Sequence, residues 1–240
     1  MVPSHKTLLE KSAQDLAKSL KIKFKNLALL ENSLIHRSFI NEHRNWKLES
    51  NERLEFLGDA VLELIVTDYL FHNYPNEEGE LTNWRAALVS AESLAPVAEK
   101  LNIGKFLFVG RGEQKNRRSK LNILADSIEA IIGAIYLDQG RKIAAKFIQK
   151  HILVKLPIIL KDKLFVDAKT ALQELAQKQW KITPEYKVIK EGGPDHNKWF
   201  EVGVYINDKI FGKGRGSSKQ KAEKEAAKAG VEKLKKQRQD

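Results

Sequence analysis

Asn51-Glu52-Arg53-Leu54-Glu55-Phe56-Leu57-Gly58-Asp59-Ala60-Val61-Leu62-Glu63 packs four acids and six apolar residues into thirteen positions. These acids, Glu52, Glu55, Asp59 and Glu63, share a helical face: at about 100° per residue they fall within an arc of about 80°. Four acids on one stripe repel one another, and the ordinary fate of such a stripe is a solvated surface. A second acidic pair argues against that outcome. Asp126 and Glu129 stand at i and i+3 inside Leu124-Ala125-Asp126-Ser127-Ile128-Glu129-Ala130-Ile131-Ile132-Gly133-Ala134-Ile135-Tyr136, a segment apolar nearly all round. Helices of that kind are buried at a domain's centre. The segment holds no lysine or arginine, so burying two carboxylates in it costs several kcal/mol unless a cation or a proton compensates.

Working outward, the first two-thirds of the 240 residues read as successive helices, with apolar residues such as Val61, Leu64 and Ile65 at three- and four-residue spacing. Breaks fall at 74–79 and 104–112, where Gly and Pro gather. Beyond Pro157 the pattern changes. Residues 167–180 make an amphipathic helix on Ala168, Leu172, Leu175 and Ala176, and Phe200, Val202, Val204 and Ile206 alternate as in a half-buried strand. Further strands are expected at 186–189 and 209–211, and a last helix from about Ser217. The expected organisation is an all-α domain over 1–156, a linker at 157–166 and an α+β domain of order α-β-β-β-α over 167–240.

The chain carries 42 basic and 31 acidic side chains, net +11, with 42% hydrophobic residues. That share fills a core, so global disorder is excluded. Residues 167–240 hold 17 basic and 11 acidic groups, so the positive charge is densest there. It points to a polyanion, either nucleic acid or an acidic membrane surface, without choosing between them. There is no cysteine, which removes disulfides, thiolate metal sites and cysteine nucleophiles. The first 25 residues have spaced lysines and no continuous apolar segment, unlike a secretory signal, and no apolar run of about 18 residues occurs. A cytoplasmic protein without membrane partners is expected.

If the two acidic faces meet, their oxygen-only donors favour Mg2+ or Mn2+ over zinc. Such a cluster suits a two-metal site, with ions about 3.5–4 Å apart acting on a phosphodiester. The residues also carry a resemblance. Glu52-Arg53-Leu54-Glu55-Phe56-Leu57-Gly58-Asp59-Ala60-Val61-Leu62 resembles the signature helix of the ribonuclease III family. Ile123-Leu124-Ala125-Asp126-Ser127-Ile128-Glu129-Ala130 resembles its second catalytic segment, and His36-Arg37-Ser38-Phe39 its first conserved region. Residues 167–240 are similar to a double-stranded-RNA-binding domain.

The resemblance implies that the first domain is a nuclease domain, in which Glu55, Asp59, Asp126 and Glu129 are the catalytic, metal-binding carboxylates, with Glu55 and Glu129 as direct ligands. It implies that Glu52 and Glu78 are further acids near the scissile strand, and that Phe56 is a contact with a second subunit of a homodimer. A two-fold dimer suits the cutting of both strands of a duplex. In the second domain it implies that Gln173, Glu174 and Gln177 read a minor groove from one helix face, that His196 in Gly193-Pro194-Asp195-His196 reads the next, and that Lys219 and Lys221 hold phosphate at a helix start. Gln220 departs from the family motif, which has a lysine there. Such a domain spans about 16 bp of duplex by shape. The expected activity is hydrolysis of double-stranded RNA to 5′-phosphate and 3′-hydroxyl ends with short 3′ overhangs, in the processing of ribosomal and other structured precursor RNAs. A non-catalytic RNA-binding regulator is the rival reading, though it has no use for all four carboxylates.

Overall fold

A computed structural model describes residues 5–43, 45–113, 117–161, 168–194 and 198–236. The chain divides into two compact units, Met1–Phe165 and Val166–Asp240.

In the first unit, α1 (His5–Leu20) buries Leu9, Ala13, Leu16 and Leu20 along one stripe. The short α2 (Leu27–Ser33) starts at Asn26, whose Oδ1 accepts the Ala28 N–H at 3.2 Å. His36 caps α3 (Arg37–Glu42), its Nδ1 accepting the Ser38 N–H. Then come α4 (Glu52–Asn73), α5 (Glu78–Val89), α6 (Ala91–Lys100), α7 (Arg117–Gln139), α8 (Arg141–His151) and α9 (Leu156–Lys161). Ala125, Ile128, Ile131, Ile132 and Ile135 of α7 are buried, so the helix expected at the centre lies there. It starts about seven residues before the apolar segment, at Arg117. The Asp138 carboxylate near its other end accepts the Lys25 and Asn26 N–H groups at 2.8 and 2.7 Å, tying α7 to the entry of α2.

Two expectations for this unit need correction. Leu64 belongs to an apolar spacing, yet it is 59% exposed, because the buried face of α4 is formed by Val61, Leu62, Ile65 and Val66. The expected linker at 157–166 begins as helix: α9 runs to Lys161, with Leu156 and Ile159 in the core of the first unit. Pro157 sits in the first turn of α9, where a missing N–H costs nothing.

In the second unit, α10 (Ala168–Trp180) and α11 (Lys219–Lys236) flank an antiparallel sheet of order β1-β2-β3, formed by Glu185–Gly192, Trp199–Ile206 and Lys209–Gly216. Ala168, Leu172 and Ala176 of α10, Val202, Val204 and Ile206 of β2, and Ala222, Ala226, Ala227 and Leu234 of α11 make one core. Asn207 and Asp208 both have positive φ, 50° and 60°, the turn that suits a two-residue hairpin. Both outer strands exceed their expected lengths. β3 continues through Gly212, Gly214 and Gly216 because α11 lies directly on it. A Cβ at Gly212 would stand 2.4 Å from the Ala226 carbonyl oxygen, and one at Gly214 would stand 2.1 Å from the Ala226 nitrogen. Glycines that look like breaks are the seat of a helix.

Candidate active site

The site is built where α4 crosses α7. A Cβ at Gly58 would lie 1.7 Å from the Glu129 carbonyl oxygen, and one at Gly133 would lie 2.3 Å from that of Leu54. Each glycine therefore admits the other helix's backbone, and no larger residue fits without moving a helix. This close crossing faces the first turns of α4 toward the middle of α7. Carboxylate oxygens of Glu55, Asp126 and Glu129 come within 4.8 Å of one another. Asp59 is exposed and stands outside that trio, although its charge acts on both Glu55 and Glu129.

Crowding and burial disfavour ionisation here. Burial, then repulsion from Asp126, Glu52 and Asp59, pushes the Glu55 carboxyl up to about 7. Burial, then Asp59, Asp126, Glu55 and Glu63, pushes Glu129 up to about 8. Burial also raises Asp126. Among the described residues none of the three is in an ion pair. A group of carboxylates left without a cationic side chain, with no sulfur or nitrogen donor, matches the ligand set of a hard divalent cation.

The other acids lie apart from the trio. Glu52 accepts hydrogen bonds from Ser50 Oγ at 2.7 Å and Arg37 at 3.2 Å, which hold its carboxyl below the usual range. Glu78 opens α5 and lines a cavity with Thr67, Leu70, Phe71, Tyr74 and Arg85, so within one chain it is not part of the cluster. Phe56 projects into solvent, 82% exposed.

In the second unit Gln173, Glu174 and Gln177, with Thr170, line one open groove along α10. Ser218 caps α11, its Oγ accepting the Lys221 N–H at 3.3 Å. Lys219 and Lys221 are exposed at that helix start. His196 lies outside the described residues.

Two family models match the chain: a ribonuclease-III-like domain over residues 26–156 and a double-stranded RNA binding motif over 168–234. Ribonuclease 3 of Borreliella afzelii is 46% identical, covering 91% of this chain and 90% of that protein. The chain belongs to the ribonuclease III family. Ribonuclease 3 of Treponema denticola is 43% identical over 98% of this chain and 97% of its own length. The solved nuclease domain of ribonuclease III from Campylobacter jejuni is 42% identical, with a TM-score of 0.54. It covers 60% of this chain and 98% of that one, and its description concerns flexibility in a region involved in dimer formation.

As a ribonuclease III, the chain is an endoribonuclease acting on double-stranded RNA, with an all-α nuclease domain that uses a divalent metal ion and an α-β-β-β-α RNA-binding domain. Among the described residues no helix is long and apolar enough to cross a membrane. Sequence reasoning about this ribonuclease III missed the Gly58 and Gly133 pair. The signal was available, since a glycine inside an apolar helix marks a close approach of backbones. It also missed the pairing of Glu223 with Lys169, whose Nζ donates to the carboxylate at 2.6 Å and so joins α10 to α11.

Proposed function

We propose that Glu55, Asp126 and Glu129 hold Mg2+, with Mn2+ able to replace it, and that Asp59 completes the binding of the ions and of the water around them. The observation that carries this reading is the trio of crowded, half-buried carboxylates with no ion-pair partner among the described residues. When bound, the metal supplies activation of the attacking water and neutralises charge on the leaving oxygen. The protein's part is to keep these acids fixed on two rigid helices, so that little reorganisation accompanies the reaction. Glu52, restrained by Arg37 and Ser50, keeps negative charge at the margin of the site.

The substrate is brought by the second unit. Gln173, Glu174 and Gln177 contact one minor groove, His196 the next, and Lys219 and Lys221 the phosphates between them, which reads duplex shape more than sequence. The products carry 5′-phosphate and 3′-hydroxyl ends with short 3′ overhangs. The substrates are ribosomal and other structured precursor RNAs in the cytoplasm.

The working form is a homodimer. Phe56, Ala60, Leu64, Thr67 and Phe71 form an exposed stripe on α4, with Phe56, Leu64 and Phe71 at 82%, 59% and 72% exposure. The stripe is symmetric about the middle of the helix near Leu64. A second copy laid antiparallel across it sets Phe56 beside Phe71 and the cavity that holds Glu78, a self-complementary two-fold contact. Glu78 of the partner then approaches the acidic cluster.

Incubating the full chain with a long RNA duplex and Mg2+, and determining the product ends, tests the reading. Short duplexes with 5′-phosphates are expected. Binding without cleavage would leave an RNA-binding regulator instead.

A further inference from the structure

Gln220 occupies the place of a lysine at the start of α11, and the structure points to the residue that replaces it. Phe200, half-buried at the start of β2, has a lysine over its ring from each of two elements. Lys198 Nζ, from the approach to β2, is 5.5 Å from the ring centroid, and Lys219 Nζ, from the first turn of α11, is 5.9 Å away. The ring's quadrupole attracts each ammonium group.

Neither lysine is in an ion pair among the described residues, whereas Lys169, Lys187 and Lys228 are each bonded to a carboxylate. Glu223, the nearest acid along α11, is engaged by Lys169 and does not neutralise the pair. Two ammonium groups without a carboxylate partner among the described residues therefore border one ring, close to a capped helix N-terminus where the backbone N–H groups and the helix dipole favour an anion.

We infer that Lys198 and Lys219, each held against the Phe200 ring, form one phosphate-binding pair, in which Lys198 makes the RNA-backbone contact that Gln220 does not. This rests on the reading of the second unit as the RNA-binding face. The pairing also links the segment before β2 to the start of α11, so two separate stretches of chain grip one stretch of backbone.

Binding of the full chain to a paired RNA of about 30 bp, long enough for one domain's span of about 16 bp, is measured against salt with Ca2+ in place of Mg2+. Each lost phosphate contact reduces the slope of log K against log salt by about 0.9. Lys198→Ala is expected to reduce the slope by about that amount and to weaken binding at fixed salt whatever the duplex sequence. Lys219→Ala should do the same. Gln220→Lys should restore the slope in the Lys198→Ala chain and add little to the wild type. An unchanged slope for Lys198→Ala, with a reduced one for Lys219→Ala, overturns the inference alone. Unchanged slopes for both overturn the RNA-binding face as well. A reduced slope that Gln220→Lys does not restore overturns the replacement of one contact by the other.

Discussion

Glu55 and Glu129 set a pH dependence whose sign follows from their environment. A glutamate in an unfolded chain titrates near about 4.3, and these two are pushed up to about 7 and about 8 in the folded protein. Their contribution to stability is fully present below about pH 4 and is lost as pH rises through about 7 to 8. Metal-free protein should therefore gain stability at pH 8 when Glu129 becomes Gln, by a few degrees in melting temperature, with much less gain at pH 5. Thermal melts in a chelator check this, and a variant that melts lower at pH 8 contradicts it. A divalent cation needs the ionised carboxylates, so its stabilising effect should be larger at pH 8 than at pH 6, read from the same melts. The acids themselves were legible in the sequence from their spacing. Their ranking was not: the helical wheel puts Glu52, Glu55 and Asp59 on one face, but Arg37 and Ser50, from outside α4, draw Glu52 aside, and Asp126 joins the tight trio while Asp59 stays at its edge.

The crossing of α4 and α7 decides which acids meet. Gly58→Ala places a methyl group 1.7 Å from a main-chain oxygen, so one helix has to shift. Overpacking of this kind costs about 1–3 kcal/mol, and a displacement of about 1 Å in reacting groups costs about 100-fold in rate. Gly58→Ala should therefore lower both melting temperature and Mg2+-dependent cleavage, with RNA binding retained; full cleavage activity would refute the role of the crossing. In the other unit, Gly214→Ala should unseat α11 from β3 and weaken RNA binding by lowering the fraction folded, which melting of the second unit reports. These crossings explain what the sequence hid. The helix order, the change of texture after Pro157 and the alternation in β2 were all readable as periodicity. Gly212, Gly214 and Gly216 were not, because a glycine carries no hydrophobic signal and its meaning here comes from the helix lying on top of it.

At the scale of the whole molecule, the exposed stripe of Phe56, Leu64 and Phe71 is the proposed contact with a second copy. Replacing Leu64, at the centre of the proposed two-fold, with Asp should set two carboxylates against each other and give monomers in sedimentation, while the melting temperature stays close to that of the wild type. Dimers that persist would displace the axis from Leu64. The stripe was only partly legible, since Leu64 shares the three- and four-residue spacing of the core and only packing distinguishes the two faces. The net charge of +11 likewise conceals an acidic centre in the first unit, and the absence of cysteine leaves oxygen as the donor there.

The central claim is that the acids gathered by α4 and α7 cut the RNA that the second unit holds. Cleavage and binding of one long RNA duplex by the Glu129→Gln chain, side by side with the wild type in Mg2+, test it most directly. Cleavage reduced at least about 100-fold with unchanged duplex affinity is the expected result. Cleavage at the wild-type rate would contradict the account.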